Sequence, residues 1–179
     1  MANTLLIRAA KPQDAATLAA IYAPYVLHGT ETLECVPPEA KYFAEKIILA
    51  AQKGWPYLVA CLGDVPIGYA YVTQFRDRPA YRFACENSIY VDAAHHGTGV
   101  GRALLTALIA AAEEAGFRQM IAVISGLGPA SPALHAALGF AEAGRMRAVG
   151  WKCGRWLDTR YMQRALGPGD AAPPSPDAA

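Results

Sequence analysis

The stretch from Ser88 to Ala115, SIYVDAAHHGTGVGRALLTALIAAAEEA, constrains this chain more than any other. Ser88-Ile89-Tyr90-Val91 is rich in β-branched and aromatic residues, which predicts a strand. Leu104, Leu108 and Ala112 recur at helical spacing with Leu105 and Ile109 beside them, which predicts a helix with one apolar face. Between the two stand three alternate glycines, Gly97, Gly99 and Gly101. Glycine has no Cβ, so it admits positive φ and lets another group approach the backbone. A glycine-rich turn leading from a strand into a helix presents free N–H groups at the positive end of the helix dipole, which suits a phosphate or pyrophosphate. Two common phosphate signatures are absent. The nucleotide-hydrolase loop ends in Gly-Lys-Ser/Thr, where this chain has Gly101-Arg102-Ala103, and the dinucleotide fingerprint needs a third glycine where Arg102 and Leu104 stand. Taken alone, the turn serves equally well as a plain helix-opening bend.

At 179 residues the chain suits one domain with a full core. An apolar fraction of 54% against 17% charged residues is that of a globular chain. The net charge of +1 supplies no bulk attraction to nucleic acid or to a membrane surface. No apolar run reaches the roughly 18 residues that cross a bilayer, and Arg8 and Lys11 follow the first apolar run, where a secretory signal carries its charges ahead of it. Cys35, Cys61, Cys85 and Cys153 are dispersed, as free thiols in a reducing cytoplasm are. A cytoplasmic protein with no nucleic-acid or membrane partner is expected. His95-His96 has no Cys or carboxylate cluster at ligand spacing, so no metal is expected.

Along the chain, alternation predicts a strand over Thr4–Ala9 and then a helix from Pro12 to about His28 with Leu18, Ile21, Tyr22 and Tyr25 inward. Pro37-Pro38 opens a second helix that Gly54 closes, with Phe43, Ile47, Ile48 and Ala51 on one face. Strands over Trp55–Leu62 and Val65–Phe75 flank Gly63-Asp64, a hairpin signal. A polar loop with Arg76, Arg78 and Arg82 leads into a strand from Phe83 to Val91, whose alternation puts Glu86, Ser88 and Tyr90 on one face and Cys85, Ile89 and Val91 on the other. After the glycine-led helix come a strand over Gln119–Ile124, the loop Gly126-Leu127-Gly128-Pro129, and a short helix opened by Ser131 and Pro132. Two strands follow, Ala141–Val149 and Trp151–Arg164, joined near Gly150. A single domain over 1–166 is expected, with a disordered tail over 167–179, where no apolar period survives. The order β-α-α-β-β-β-α-β-α-β-β is that of an α+β chain of antiparallel hairpins with one βαβ crossover at the glycine turn.

These residues match a known pattern. His96-Gly97-Thr98-Gly99-Val100-Gly101, followed by strand, short helix and Leu138-Gly139-Phe140, resembles the GNAT superfamily of acyl-CoA-dependent N-acyltransferases, whose signature is Arg/Gln-x-x-Gly-x-Gly/Ala; His96 departs from it at the first position. Gly68-Tyr69-Ala70-Tyr71, Arg78-x-Ala80-Tyr81, Glu86-x-Ser88-Ile89-Tyr90-Val91, Leu134-His135 and Gly150-x-Lys152-x-Gly154-Arg155-Trp156-x-Asp158 are similar to the phosphinothricin and methionine sulfoximine N-acetyltransferase subfamily. The match runs from about Leu6 to Gln163. It implies a mixed, mostly antiparallel central sheet flanked by helices, and direct transfer of acetyl from acetyl-CoA to the amino group of a small amino acid or analogue. It also implies a homodimer. Ile89, Tyr90 and Val91 would pair with the pantetheine arm as an added strand does, and Gly97, Thr98, Gly99, Val100, Gly101 and Arg102 would wrap the pyrophosphate. The subfamily usually has Asn three residues before the helix-opening Ser; Gly128 stands there, which leaves Ser131 or Ser125 to supply that cofactor contact.

Amine attack on a thioester needs a neutral amine, and a general base takes the proton. Glu86 is the candidate, since a carboxylate in an apolar strand is costly unless paired or functional; pairing with an arginine of the 76–82 loop is the other reading. His135 is a candidate for substrate binding or proton transfer, or a structural histidine. Arg76, Arg78 and Arg82, with Tyr81, are candidate readers of an acidic amino-acid substrate. An acetyltransferase for a different amine and a CoA-binding sensor without catalysis are the alternatives. The arginine loop disfavours cationic acceptors, and Glu86 disfavours the sensor.

Overall fold

In a computed structural model, which describes residues 4–126 and 128–174, the chain builds one seven-stranded sheet in the order β1-β2-β3-β4-β5-β7-β6. The strands are β1 (Leu5–Ala9), β2 (Tyr57–Leu62), β3 (Val65–Gln74), β4 (Ala84–Val91), β5 (Gln119–Ser125), β6 (Ala141–Lys152) and β7 (Arg155–Ala165). Four α-helices connect them: α1 (Ala15–Leu27), α2 (Ala40–Lys53), α3 (Val100–Glu114) and α4 (Ala130–Ala137). Neighbouring strands are antiparallel except β4 and β5, which are parallel and joined by α3. The fold is the mixed, mostly antiparallel α+β architecture that the element order predicts.

Two cores sandwich the sheet. Leu104, Leu105, Leu108 and Ala112 of α3 pack on Ala70, Val72, Cys85, Val91 and Met120. On the opposite face, Leu18, Ile21 and Tyr22 of α1 and Phe43, Ile47 and Ala50 of α2 pack on Tyr57, Val59 and Tyr69. The β3–β4 register runs without a shift from Gly68↔Val91 to Gln74↔Cys85, so the alternation of β4 holds. Tyr90 faces Tyr22, Tyr25 and Tyr69 at 4.7–5.4 Å between ring centroids, while Cys85 and Val91 face α3.

Three boundaries differ from expectation. α2 starts at Ala40, because Glu39 stays extended at φ −74°, ψ 164°. Its inward residues are Phe43, Ile47 and Ala50; Ile48, one residue further round the helix, is exposed. The last hairpin turns at Cys153 and Gly154, both at positive φ (52° and 70°), as a tight two-residue hairpin turn requires. Gly150 lies instead within β6, where a Cβ would come within 2.6 Å of Leu33 of the α1–α2 loop. Of the tail expected to be disordered, residues 175–179 lie outside the described residues. Over 167–174 the chain makes turns, and Arg118 donates to the Pro173 carbonyl at 3.1 Å.

Lys152, at the end of β6, is only 7% exposed. Its ammonium donates to the carbonyl of Thr32 at 2.8 Å and to that of Tyr25 at 3.1 Å. Tyr25 lies in the last turn of α1, whose carbonyls have no partner within the helix, and a cation there also suits the dipole. Thr32 in turn hydrogen-bonds Tyr22 at 2.6 Å, so one side chain ties the last hairpin to the α1–α2 loop. Lys152→Met leaves two carbonyls unpaired and is expected to lower stability by about 2 kcal/mol in denaturant unfolding, with Lys152→Arg recovering part of the loss.

Candidate functional site

β4 and β5 pair only from Ala84↔Gln119 to Asn87↔Ala122, although β4 continues to Val91 and β5 to Ser125. Beyond Asn87 the two strands part. The gap is a cleft of about 360 Å³ lined by Ser88, Ile89, Tyr90 and Val91 on one side and Val123, Ile124 and Ser125 on the other. β4 is paired to β3 on its far edge and β5 to β7 on its own, so each strand's free backbone edge faces this cleft. An extended chain entering there meets open N–H and C=O groups.

The glycine turn closes one end. Gly97 and Gly99 have φ of 73° and 90°, and a Cβ at either would meet nothing within 4 Å. Gly99 caps α3 without a side-chain hydrogen bond, which leaves the helix's first N–H groups free of a side-chain cap. The hydroxyl of Thr98 donates to the His95 carbonyl at 2.7 Å. Val100 turns its side chain into the core, so only its backbone faces outward, while Arg102 is exposed. Gly101 lines the cleft, where an added Cβ would stand 3.5 Å from Leu134. These uncapped donors and the open backbone fit a phosphate-bearing extended ligand.

Asn87 marks the point of parting, and sequence reading did not single it out. Its amide nitrogen lies 3.0 Å from Nε2 of His135, and its buried Oδ1 has no partner among the described residues. The Nδ1 of His135 lies 2.8 Å from the carbonyl of Ser131, which can only accept. Nδ1 therefore carries the proton, and Nε2 accepts from Asn87. His135 is 1% exposed, and burial pulls its pKa below the usual value. It thus pins α4 to the fork as a neutral ring with both nitrogens engaged. Ser131 stands beside it on the cleft, Oγ 3.4 Å from Nδ1, and Gly128 lies on the same rim. Tyr25 is a second contact that sequence reading missed. Its hydroxyl donates to the Val91 carbonyl at 2.5 Å, and His96 Nε2 lies 2.8 Å from that hydroxyl. Spacing put Tyr25 inward, but nothing local indicates a partner on β4.

Glu86 sits one residue before the fork, on the α1/α2 face, opposite Thr73 and level with Ile121. Among the described residues none forms an ion pair with it. Burial pushes its carboxyl above the usual value, and the fields of Arg76 and Lys46 offset this in part. Next to it a groove of about 580 Å³ opens over the β4–β5–β7 part of that face, lined by Phe75, Tyr81, Ile121, Met146 and Tyr161. Two of the three loop arginines lie over neighbouring rings. Arg76 lies over the Phe75 ring at 4.1 Å and Arg82 over Phe83 at 4.4 Å, while Arg78 is exposed and its carbonyl accepts from Tyr81 N–H at 2.9 Å. Tyr81 alone of the four candidate readers lines the groove. Among the described residues no group of His, Cys, Asp or Glu could hold a metal ion, and no helix is long and apolar enough to cross a membrane.

The neutral His135 predicts a pH effect on stability. Its folded pKa lies below its unfolded value of about 6.5, so the unfolded state binds the extra proton first. Stability should fall as the pH drops below about 6.5. His135→Gln should lose that part of the dependence in unfolding curves taken at several pH values.

Comparison with known proteins agrees with this geometry. Residues 7–161 match the family model described as an acetyltransferase (GNAT) domain. The chain is 44% identical over 169 residues to the phosphinothricin N-acetyltransferase of Alcaligenes faecalis, covering 94% of this chain and 86% of that protein. It is 37% identical over 167 residues to the L-methionine sulfoximine/L-methionine sulfone acetyltransferase of Salmonella typhimurium, covering 90% and 95%. A crystal structure of a GNAT superfamily phosphinothricin acetyltransferase from Sinorhizobium meliloti in complex with acetyl-CoA superposes with a TM-score of 0.93 at 45% identity, over 97% of this chain and 95% of that one. With a forked parallel pair, an uncapped glycine-led helix and a family match over most of its length, the chain belongs to the GNAT family of acetyltransferases.

Proposed function

We propose that this protein transfers the acetyl group of acetyl-CoA directly to the amino group of a small amino acid or analogue of the phosphinothricin or methionine sulfoximine kind, with Glu86 as general base. The observation that carries the reading is Glu86 itself. It is a half-buried carboxyl that forms no ion pair among the described residues, beside both the parted strands and the open groove. The backbone edge of Ile89–Val91 would hold the pantetheine arm and the turn from Gly97 to Arg102 the pyrophosphate, with Ser131 on the opposite rim. The amine attacks the thioester carbonyl as its proton passes to Glu86, and the CoA thiolate leaves. His135 holds Asn87 and α4 in place at the fork. Tyr81 and the aromatic groove would receive the acceptor's side chain. Trp151 and Trp156, 60% and 62% exposed on the last hairpin, support a homodimer through that face, which sedimentation equilibrium tests. The four free cysteines suit the reducing cytoplasm.

A thiol-release assay with acetyl-CoA across phosphinothricin, methionine sulfoximine, methionine sulfone and ordinary amino acids tests the substrate class. Glu86→Gln should lower turnover by about 10²–10⁴-fold while acetyl-CoA affinity survives. In the wild type kcat/KM should rise with pH as the raised carboxyl ionises, along a limb above the usual carboxylate pKa; the variant should lose this limb. Undiminished turnover removes Glu86 from the mechanism. Gly101 has room for a methyl group in the free protein, so Gly101→Ala should melt as the wild type does yet bind CoA about tenfold more weakly by calorimetry.

A further inference from the structure

The face of the sheet that carries Glu86 also carries a cation with no assigned task. On β3 and β4 the pairs Tyr71↔Ser88 and Thr73↔Glu86 stand side by side, and residues directly opposite in an antiparallel pair share a face. Tyr57 of β2 lies opposite Tyr71 and stacks on it at 4.7 Å. Above this patch α2 places Lys46. Its ammonium lies 4.7 Å from the Tyr42 ring centroid and 5.1 Å from that of Tyr71, and it donates to the Tyr71 hydroxyl at 3.4 Å. That uses one of its three donors. Among the described residues Lys46 forms no ion pair. The hydroxyl of Tyr57, a residue only 5% exposed, has no hydrogen-bond partner among the described residues. A half-buried ammonium with free donors, held by two rings beside an unpartnered phenol, is arranged to receive an anion.

The spacing suits an amino acid. Tyr71, under the ammonium, is one pleat from the Thr73–Glu86 pair, about 7 Å along the strands. An α-amino acid keeps its nitrogen and carboxylate about 3 Å apart, and a hydrogen bond at each end adds about 3 Å. Its amine can therefore reach Glu86 while its carboxylate meets Lys46.

We infer that Lys46 is a specificity-determining residue that binds the α-carboxylate of the acceptor through its ammonium between Tyr42 and Tyr71, and so turns the amine toward Glu86. The inference rests on the amino-acid acetyltransferase reading above. It places the carboxylate reader on α2, whereas Arg76 and Arg82 of the loop before β4 lie over the rings of Phe75 and Phe83. Glu86 feels the field of Arg76 first and then that of Lys46, and of these two cations Arg76 lies over the Phe75 ring while Lys46 stands over Tyr71, one pleat from Glu86.

The test compares L-methionine sulfone with its carboxamide, which differ in the carboxylate. Lys46→Met should lower kcat/KM for the acid by about ten- to a hundredfold, the worth of a charge-assisted hydrogen bond. The loss should fall mainly on KM, and the carboxamide should stay within about threefold of the wild type. Lys46→Arg should restore part of the preference. Equal losses on both acceptors, or a lower melting temperature with the preference intact, make Lys46 a mere clamp between α2 and β3 and overturn the inference. A wild type that is active on both acceptors but prefers neither overturns it as well. A wild type that acetylates no amino-acid acceptor refutes the underlying reading, and that outcome is recognised before any variant is made.

Discussion

The site depends on a parallel pair of strands that stops pairing halfway. β4 and β5 share four registered residues and then separate, while each stays hydrogen-bonded to its other neighbour. Backbone N–H and C=O groups that are left without partners are costly in a packed interior, so a fork of this kind persists where something else completes it. Here the completion is divided. A protein group, the Asn87–His135 contact, sits at the crotch, and the open length beyond it is left for a ligand chain. Tyr25 and His96 already engage the carbonyl of Val91 at the far end, which sets how much of the β4 edge remains free.

The chemistry is divided between the two faces by the strict alternation of β4. Cys85 and Val91 anchor the strand on α3, while Glu86, Ser88 and Tyr90 look toward α1 and α2. The aromatic ladder of Tyr57, Tyr69, Tyr71 and Tyr90 fills much of this second face and keeps it dry enough to raise the carboxyl of Glu86. Beyond β4 the helices stop covering the sheet, and the floor of Ile121 and Tyr161 is open. Glu86 thus stands where a covered aromatic core meets an open groove, a position in which a carboxyl is desolvated yet reachable.

Lys152 shows how far the arrangement relies on the last hairpin. Its ammonium fastens the end of β6 to the last turn of α1 and to the loop that follows, and through Thr32 and Tyr22 this contact joins the aromatic cluster behind Glu86. The sequence motif around Lys152 marks the subfamily. Its physical role is a tertiary fastening at a helix end, well removed from the groove lining.

The order of elements, the glycine turn, the alternation of β4 and the inward residues of α1 and α3 were all legible in the sequence, because each follows from local periodicity or from backbone freedom at Gly97 and Gly99. So was the placement of a lone carboxylate, Glu86, within an apolar strand. The hairpin turn at Cys153–Gly154 was missed because Gly150 offered the more obvious break, and the need at Gly150 was room for Leu33 from a distant loop. Asn87, Tyr25 and Lys46 were equally hidden, since their partners lie 48, 66 and 25 residues away. By itself the sequence determined which backbone could turn, which faces could be buried and where a carboxylate interrupts an apolar strand, since these depend on residues near in the chain. Only the tertiary structure decided where β4 and β5 part, which donors stay free and which cations lie near Glu86, because those depend on contacts that exist once distant segments have packed.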